Sequence, residues 1–329
     1  MENLSFVNAH THAAMVAFRG LAEDMPLDKW LNDNIWPMEK AKLSPAFVYE
    51  QTKKAIREMK ENKIGLFCDM YFFEEEVARA ARELEMPVLI GEGILDFPTA
   101  SSPNPETTLV QTENLLKKYA GDKLVKVAVA PHSFYALSEK YLLVAKELAR
   151  KYKAPFHIHV AETKNEYEEC LKKNKLSPIA YLDKLKVLDE KAILAHCVYV
   201  DDDDIKILAK RQANVVHCPL SNLKLGSGIA PVAKMLKAGV NVCLGTDGAA
   251  SSNRLDIWEA GKFAALLAKG ISNDPAVINA KDVIRMMTVN GIKALGFESL
   301  SDKTTQQIEK EIDEIKYTSD LYHLHVNEF

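Results

Sequence analysis

Long apolar runs are missing from this chain of 329 residues. No stretch of about 18 apolar residues occurs, so no membrane-crossing helix is expected. Cysteine is sparse and odd in number. The five, Cys68, Cys170, Cys197, Cys218 and Cys243, fit neither a CxxC motif nor a disulfide framework. Four of them sit within apolar strand-like runs, where a free thiol behaves as a small buried hydrophobe. A reducing cytoplasm is the location this predicts. A basic surplus is absent too. The 42 Lys and Arg stand against 46 Asp and Glu, for a formal net charge of -4. That argues against a nucleic-acid partner, whose phosphates call for a basic surface. No basic segment followed by an apolar run opens the chain, so no signal peptide is expected. Low-complexity tracts are absent.

What is present is an alternation. Short β-branched or apolar runs occur at Leu4–Val7, Ile64–Cys68, Val88–Ile90, Val125–Val129, Phe156–Val160, Ala192–Leu194, Asn214–Val216 and Val240–Leu244. Segments of helical periodicity follow, among them Val48–Glu61, Glu75–Glu85, Leu109–Tyr119, Lys140–Tyr152, Ile205–Arg211 and Val232–Lys237. Such units build parallel strands with crossover helices. Eight of them favour closure into a (β/α)8 TIM-type barrel over the competing doubly wound open sheet, and the length suits one barrel. The barrel is expected over residues 1–298. A C-terminal helix and tail follow at 299–329, with Ser301–Lys316 reading as one amphipathic helix. The loop Asp96–Glu106, with Pro98, Pro103 and Pro105, reads as a lid or substrate-facing loop.

Active-site groups of such a barrel project from the C-terminal ends of the strands, and polar residues gather there. His10 and His12 end the first run, His132 the fourth, His196 the sixth, His217 the seventh and Asp247 the eighth; His157 and His159 lie in the fifth, with Glu162 just beyond. A lone strand histidine is commonly a hydrogen-bonded core residue, and an Asp before Gly is commonly a turn. The set as a whole is harder to dismiss. His10 and His12, two apart on a strand, share a face and can bind one ion. His159 lies nearer its strand end than His157, so His159 reads as the ligand and His157 as a buried supporting group. His217 reads as structural at least as readily as substrate-facing, and the second HxH, His323 and His325, as incidental. Neutral imidazoles and a carboxylate suit Zn²⁺, with Fe²⁺ as the alternative. A divalent ion makes hydroxide available near neutrality. Glu162 can shuttle a proton to a leaving nitrogen, Asp247 can accept the proton of water while holding the ion, and His196 can orient the attacking oxygen or steady developing charge. No P-loop, nucleophile elbow, GxGxxG or HxE-plus-PCxxC pattern competes.

The chain resembles the amidohydrolase superfamily and, within it, the 5'-methylthioadenosine/S-adenosylhomocysteine deaminase group. The resemblance runs from about Phe6 to Phe297. It rests on VNAHTHAAM with FRGLAEDMPLDKWL, GLFCDMYF, APHSFY, IHVAET, LAHCVYV, CPLSNLKLGSGIAPV and LGTDGAASSN.

The resemblance implies one metal, held by His10, His12, His159 and Asp247, with Glu162, His196 and Asp247 catalytic. It implies that Glu39 and His132 contact a nucleoside, with Glu162 and Asp247 also facing substrate. Read from the residues alone, Glu39 is a solvated helical carboxylate. Lys126 lies too early in its strand to bridge two metals. The implied partner is a small-molecule nucleoside, with no nucleic acid and no membrane, and a homo-oligomer is allowed. Members of the group that accept S-adenosylhomocysteine can clamp its carboxylate with arginines near the third strand. Asp96–Glu106 holds no Arg or Lys, which points instead to methylthioadenosine, adenosine or 5'-deoxyadenosine. Relatives also carry a small β-sandwich domain, which this chain is expected to lack. The alternatives are another amidohydrolase reaction, such as guanine or pterin deamination or triazine dechlorination, and a degenerate non-catalytic partner subunit.

Overall fold

The computed structural model describes residues 5–298 and 305–314. Within them the chain forms a (β/α)8 barrel. Its strands are β1 (Phe6–Thr11), β2 (Ile64–Tyr71), β3 (Val88–Ile94), β4 (Val125–Val127), β5 (Ala130–Pro131), β6 (Phe156–Val160), β7 (Ala192–His196), β8 (Asn214–His217) and β9 (Asn241–Leu244). β4 and β5 both pair with β3 and together make the fourth stave of the barrel, broken at Ala128 and Val129. Every ladder is parallel, in the order β1-β2-β3-β4 and β6-β7-β8-β9.

Two seams close these halves. At one, Val129 bridges Phe156 and Ser133 bridges His159. At the other, the Asp247 amide donates to the His10 carbonyl at 3.0 Å. There Asn8 also donates to Thr246 Oγ1 at 2.8 Å and accepts from the Thr246 amide at 2.9 Å.

The strands are buried on both faces, which is why they read as near-continuous apolar runs rather than as alternation. Val7, Leu66, Cys68, Leu89, Ile193, Val216 and Cys243 form one cluster with Leu295 and Phe297. Residues from six strands meet in this way only inside a closed barrel. The larger core lies between the strands and the helices. All five cysteines are buried and free.

The helix starts are written in the sequence. Ser44, Asn104 and Ser177 each cap a helix whose first residue is proline (Pro45–Glu61, Pro105–Lys118 and Pro178–Lys184). The capping oxygen takes an otherwise unpaired amide, and proline gives up no hydrogen bond at that position. Asp201 and Asp204 form a capping box at Asp202–Arg211.

The C-terminal helix is described over Thr305–Glu314, inside the expected Ser301–Lys316. It buries Ile308 and Ile312 and pairs Glu309 with Lys293 at 2.6 Å, so it docks on the barrel. The rest of the expected tail, with His323 and His325, lies outside the described residues. Among the described residues no helix is long and apolar enough to cross a membrane.

The seam between β9 and β1 depends on Gly245. A Cβ there would lie 2.8 Å from the His10 carbonyl oxygen and 2.9 Å from Val216 Cγ1. Gly245→Ala is therefore expected to destabilise the fold by about 1–3 kcal/mol through overpacking. Urea unfolding measures this, and an unchanged midpoint would show that the seam has slack.

Candidate active site

The C-terminal strand ends bring the polar residues to one place. His10 and His12 come from the end of β1, and His157 and His159 from β6. Glu162 lies two residues beyond β6, His196 is the last residue of β7, and Asp247 follows β9. His12 Nε2 lies 3.1 Å and His10 Nε2 3.5 Å from Asp247 Oδ1. Ligand atoms of His10, His12 and Asp247 all lie within 4.8 Å of one another, and so do those of His10, His159 and His196. The four histidines and the aspartate thus surround a common centre.

Each imidazole is oriented from behind through Nδ1. The partner is the Met70 carbonyl for His12, the His132 carbonyl for His159 (2.7 Å), Asn222 Oδ1 for His196 (2.8 Å) and His157 Nε2 for His10 (3.1 Å). A carbonyl acceptor fixes a proton on Nδ1 and turns Nε2 towards the centre, which is how histidine ligands are presented to metals. His157 itself continues to Cys68 Sγ at 3.3 Å. His10 Nε2 is buried without a hydrogen-bond partner, so the fold holds a desolvated lone pair that an ion would satisfy.

Charge at the centre is equally specific. Burial drives His10 to a pKa of about 4 and His159 well below the ordinary range, so both are neutral donors. Burial also opposes charge on His12, but its hydrogen bond to Asp247 overrides this and lifts it to about 9. Burial would raise Asp247, yet His10 and His12 hold it well below the usual carboxylate range. Asp247 Oδ2 accepts from Ser221 Oγ at 2.6 Å and Ser251 Oγ at 2.9 Å. Ala161, His196, Cys197 and Asp247 all take left-handed φ values without being glycine. Such conformations cluster where surrounding structure forces side chains into a functional arrangement.

A chamber opens over this centre. Its floor includes His12, His159, Glu162, His196 and Asp247, and its walls include Trp30, Ile35, Trp36, Tyr71 and Tyr135. Burial raises Glu162, whose Oε2 lies 3.8 Å from His196 Nε2. His132 lines the wall, and burial lowers it to about 3.

Glu39 overturns the reading made from its residue type alone. It is buried at 7% exposure in the helix Trp36–Lys42, lines the chamber, and accepts from Tyr71 Oη at 2.7 Å. His217 does not line the chamber; it is buried, its Nδ1 is unpartnered, and burial lowers it to about 3. Lys126 does not line it either. Its ammonium donates to the Gly296 carbonyl and lies over the Phe297 ring. No residue of Asp96–Glu106 lines the chamber, and Phe97 reaches it only by packing on Trp36, ring centroids 5.2 Å apart.

Several residues of the site escaped sequence reasoning. Asn222 and Ser221 sit in a helix start, where Ser and Asn ordinarily read as caps. Tyr71 reads as a strand aromatic. Glu166 reads as the last residue of a T-x-x-E capping box.

A sequence model of the amidohydrolase family matches residues 4–301, and the chain belongs to that family. It is 48% identical over 293 residues to a 5-methylthioadenosine/S-adenosylhomocysteine deaminase of Thermodesulfovibrio yellowstonii, covering 89% of this chain and 67% of that one. It is 43% identical over 292 residues to a 5'-deoxyadenosine deaminase of Methanothrix thermoacetophila, covering 89% and 69%. Among solved structures it superposes on a zinc-bound adenosine deaminase of Xanthomonas campestris with a TM-score of 0.91 at 34% identity, covering 97% and 75%. The chain spans about two thirds of the length of the curated relatives it matches.

Glu39 gives the site a pH signature. Burial raises its pKa from the ordinary 4.5 to about 7, against the Tyr71 hydrogen bond and the charge of His12. Below pH 4.5 the carboxyl is protonated whether folded or unfolded and contributes no penalty. As pH rises towards 7 the unfolded chain ionises first, so stability falls. In metal-free protein, Glu39→Gln is expected to gain up to about 3 kcal/mol relative to the parent between pH 4.5 and 7.5. Parallel urea-unfolding profiles for the two proteins would refute this.

Proposed function

We propose that this protein is a metal-dependent hydrolase that deaminates the adenine ring of a nucleoside. The observation that carries the reading is one chamber in which a buried carboxyl, Glu162, stands beside His196 and the His10/His12/His159/Asp247 cluster. His10, His12, His159 and Asp247 would hold one divalent ion. Zinc is the ion this donor set favours, and iron is the alternative. A divalent ion in such a site lowers the pKa of water to near neutrality.

The chain's own groups do the rest. Asp247, ionised and fixed by two serine hydroxyls, accepts the proton of the attacking water. Glu162, a carboxyl that burial pushes upward, carries a proton to the departing nitrogen. His196, fixed by Asn222, presents its Nε2 to the attacking oxygen and orients it. The new C6–O bond replaces the C6–N bond, and ammonia leaves. Glu39, with Tyr71, and His132 meet the nucleoside from the chamber wall, and the apolar aromatic sides exclude water.

Beyond the chamber lies a second cavity of about 470 Å³, sharing Leu27, Leu31, Trp36 and Tyr135 with it. It gives a 5' substituent room to extend. Among the described residues Lys164 is the one Lys or Arg lining either cavity, 3.4 Å from Glu168. Among the described residues no arginine lines either cavity to clamp an amino-acid carboxylate, which favours methylthioadenosine, adenosine or 5'-deoxyadenosine over S-adenosylhomocysteine.

Ultraviolet absorbance of zinc-loaded protein tests this. Adenine is expected to convert to hypoxanthine with methylthioadenosine, adenosine and S-adenosylhomocysteine, with kcat/KM higher for the first than the last. Glu162→Gln is expected to lower kcat by about 10²–10⁴. No spectral change with any of the three, despite bound metal, would move the assignment to another amidohydrolase substrate.

A further inference from the structure

We infer that Glu166 is a positioning residue that aims Glu162 into the chamber through the backbone, a role that rests on the function proposed above for Glu162. Glu166 lies in the first turn of the helix Lys164–Asn174, outside the chamber lining but on the second cavity, and is 5% exposed. Its Oε1 accepts the amide of Ala161 and its Oε2 the amide of Glu162, both at 2.8 Å. One carboxylate thus holds two successive amides, the ones that frame the bend between β6 and Glu162.

That bend would not hold itself. Ala161 sits at φ +53°, a conformation that an L residue other than glycine adopts only when its surroundings impose it. On its other side the Ala161 carbonyl accepts the amides of Val198 and Tyr199, each at 2.9 Å. Those residues follow the left-handed pair His196 and Cys197. The peptide beneath Glu162 is therefore gripped from the helix by Glu166 and from the end of β7 by the turn that carries His196. Glu162 and His196 are set against each other as a consequence.

A helix cap alone does not account for this. Thr163 already caps the helix by accepting the Glu166 amide at 3.2 Å. The Glu166 carboxylate reaches past the cap to the two residues before it. Among the described residues no ion pair involves Glu166, so the two backbone amides are what hold its buried carboxyl group, whose pKa burial pushes up to about 8. Such an arrangement fixes orientation more than it adds stability.

Glu166→Gln keeps the size but offers one acceptor oxygen and turns an NH2 towards an amide. In zinc-loaded protein it is expected to lower kcat on methylthioadenosine by about 10- to 100-fold, with KM and zinc content within about twofold of the parent. Exchange of the Ala161 and Glu162 amide hydrogens, followed by NMR, is expected to quicken. Ser177→Ala, which loses the cap of the helix Pro178–Lys184 and lines neither cavity, controls for stability and is expected to leave kcat unchanged. A parental kcat in Glu166→Gln, or a loss that simply follows lost zinc or lost folded protein, overturns the assignment. Should Glu166→Gln not fold, slow exchange of those two amides in the parent supports the clamp and fast exchange overturns it. If the parent deaminates no adenine nucleoside, the reaction assignment fails, while the exchange comparison still decides the clamp.

Discussion

The seam between β9 and β1 is the contact on which the site depends. A barrel that closes there must bring the end of its last strand against the end of its first. Asp247 donates its amide to His10, and Asn8 locks Thr246 from the neighbouring position. His10 and His12 belong to one side of that seam and Asp247 to the other, with more than 230 residues between them in the chain. Closure of the fold and assembly of the cluster are the same event. Gly245 permits it, because any side chain there would wedge the two strands apart.

A second layer then turns a cluster into a centre. The carbonyls of Met70 and His132, the amide oxygen of Asn222 and the ring of His157 each fix one imidazole. Ser221 and Ser251 fix the carboxylate. Side chains tethered at their outer ends lose little freedom when they act, which is the physical content of preorganisation. The left-handed residues at the strand ends belong to the same economy of placement: the chain bends sharply where a side chain must be re-aimed from the barrel wall to its mouth.

Much of this was legible in the sequence, and the failures have physical causes. Barrel strands are buried on both faces, so their apolar runs are plain; β6 was expected at Phe156–Val160 and lies there. The apolar run of the first strand shows only at Leu4–Val7, and His10 and His12 mark its end; the strand is Phe6–Thr11, its polar end buried in the site where hydropathy alone gives no strand signal. The fourth reads as one run and is broken in two, because at Val129 the chain leaves the β3 ladder to bridge Phe156 of β6. The histidines that gather at one centre stand out in the sequence by their position at the strand ends. Glu39 does not: its burial depends on Tyr71 and on a helix folded over the chamber, contacts that no local pattern encodes. Asn222, Ser221 and Glu166 were hidden for a different reason, since each occupies a helix start where its residue type already has an ordinary explanation.

The carbonyl of His132 accepts both the amide of His159, at 3.0 Å, and its Nδ1, at 2.7 Å, while the His132 side chain forms part of the chamber wall. A single peptide unit is therefore shared between the chamber wall and the scaffold that sets the His159 imidazole. Reshaping the wall at this position cannot leave the centre untouched: a tilt of that peptide, made to admit a different guest, would swing the His159 ring with it. Selectivity and reactivity are mechanically geared together here, whereas Trp36 and Phe97, which tie to no ligand, offer a route to altering one without the other.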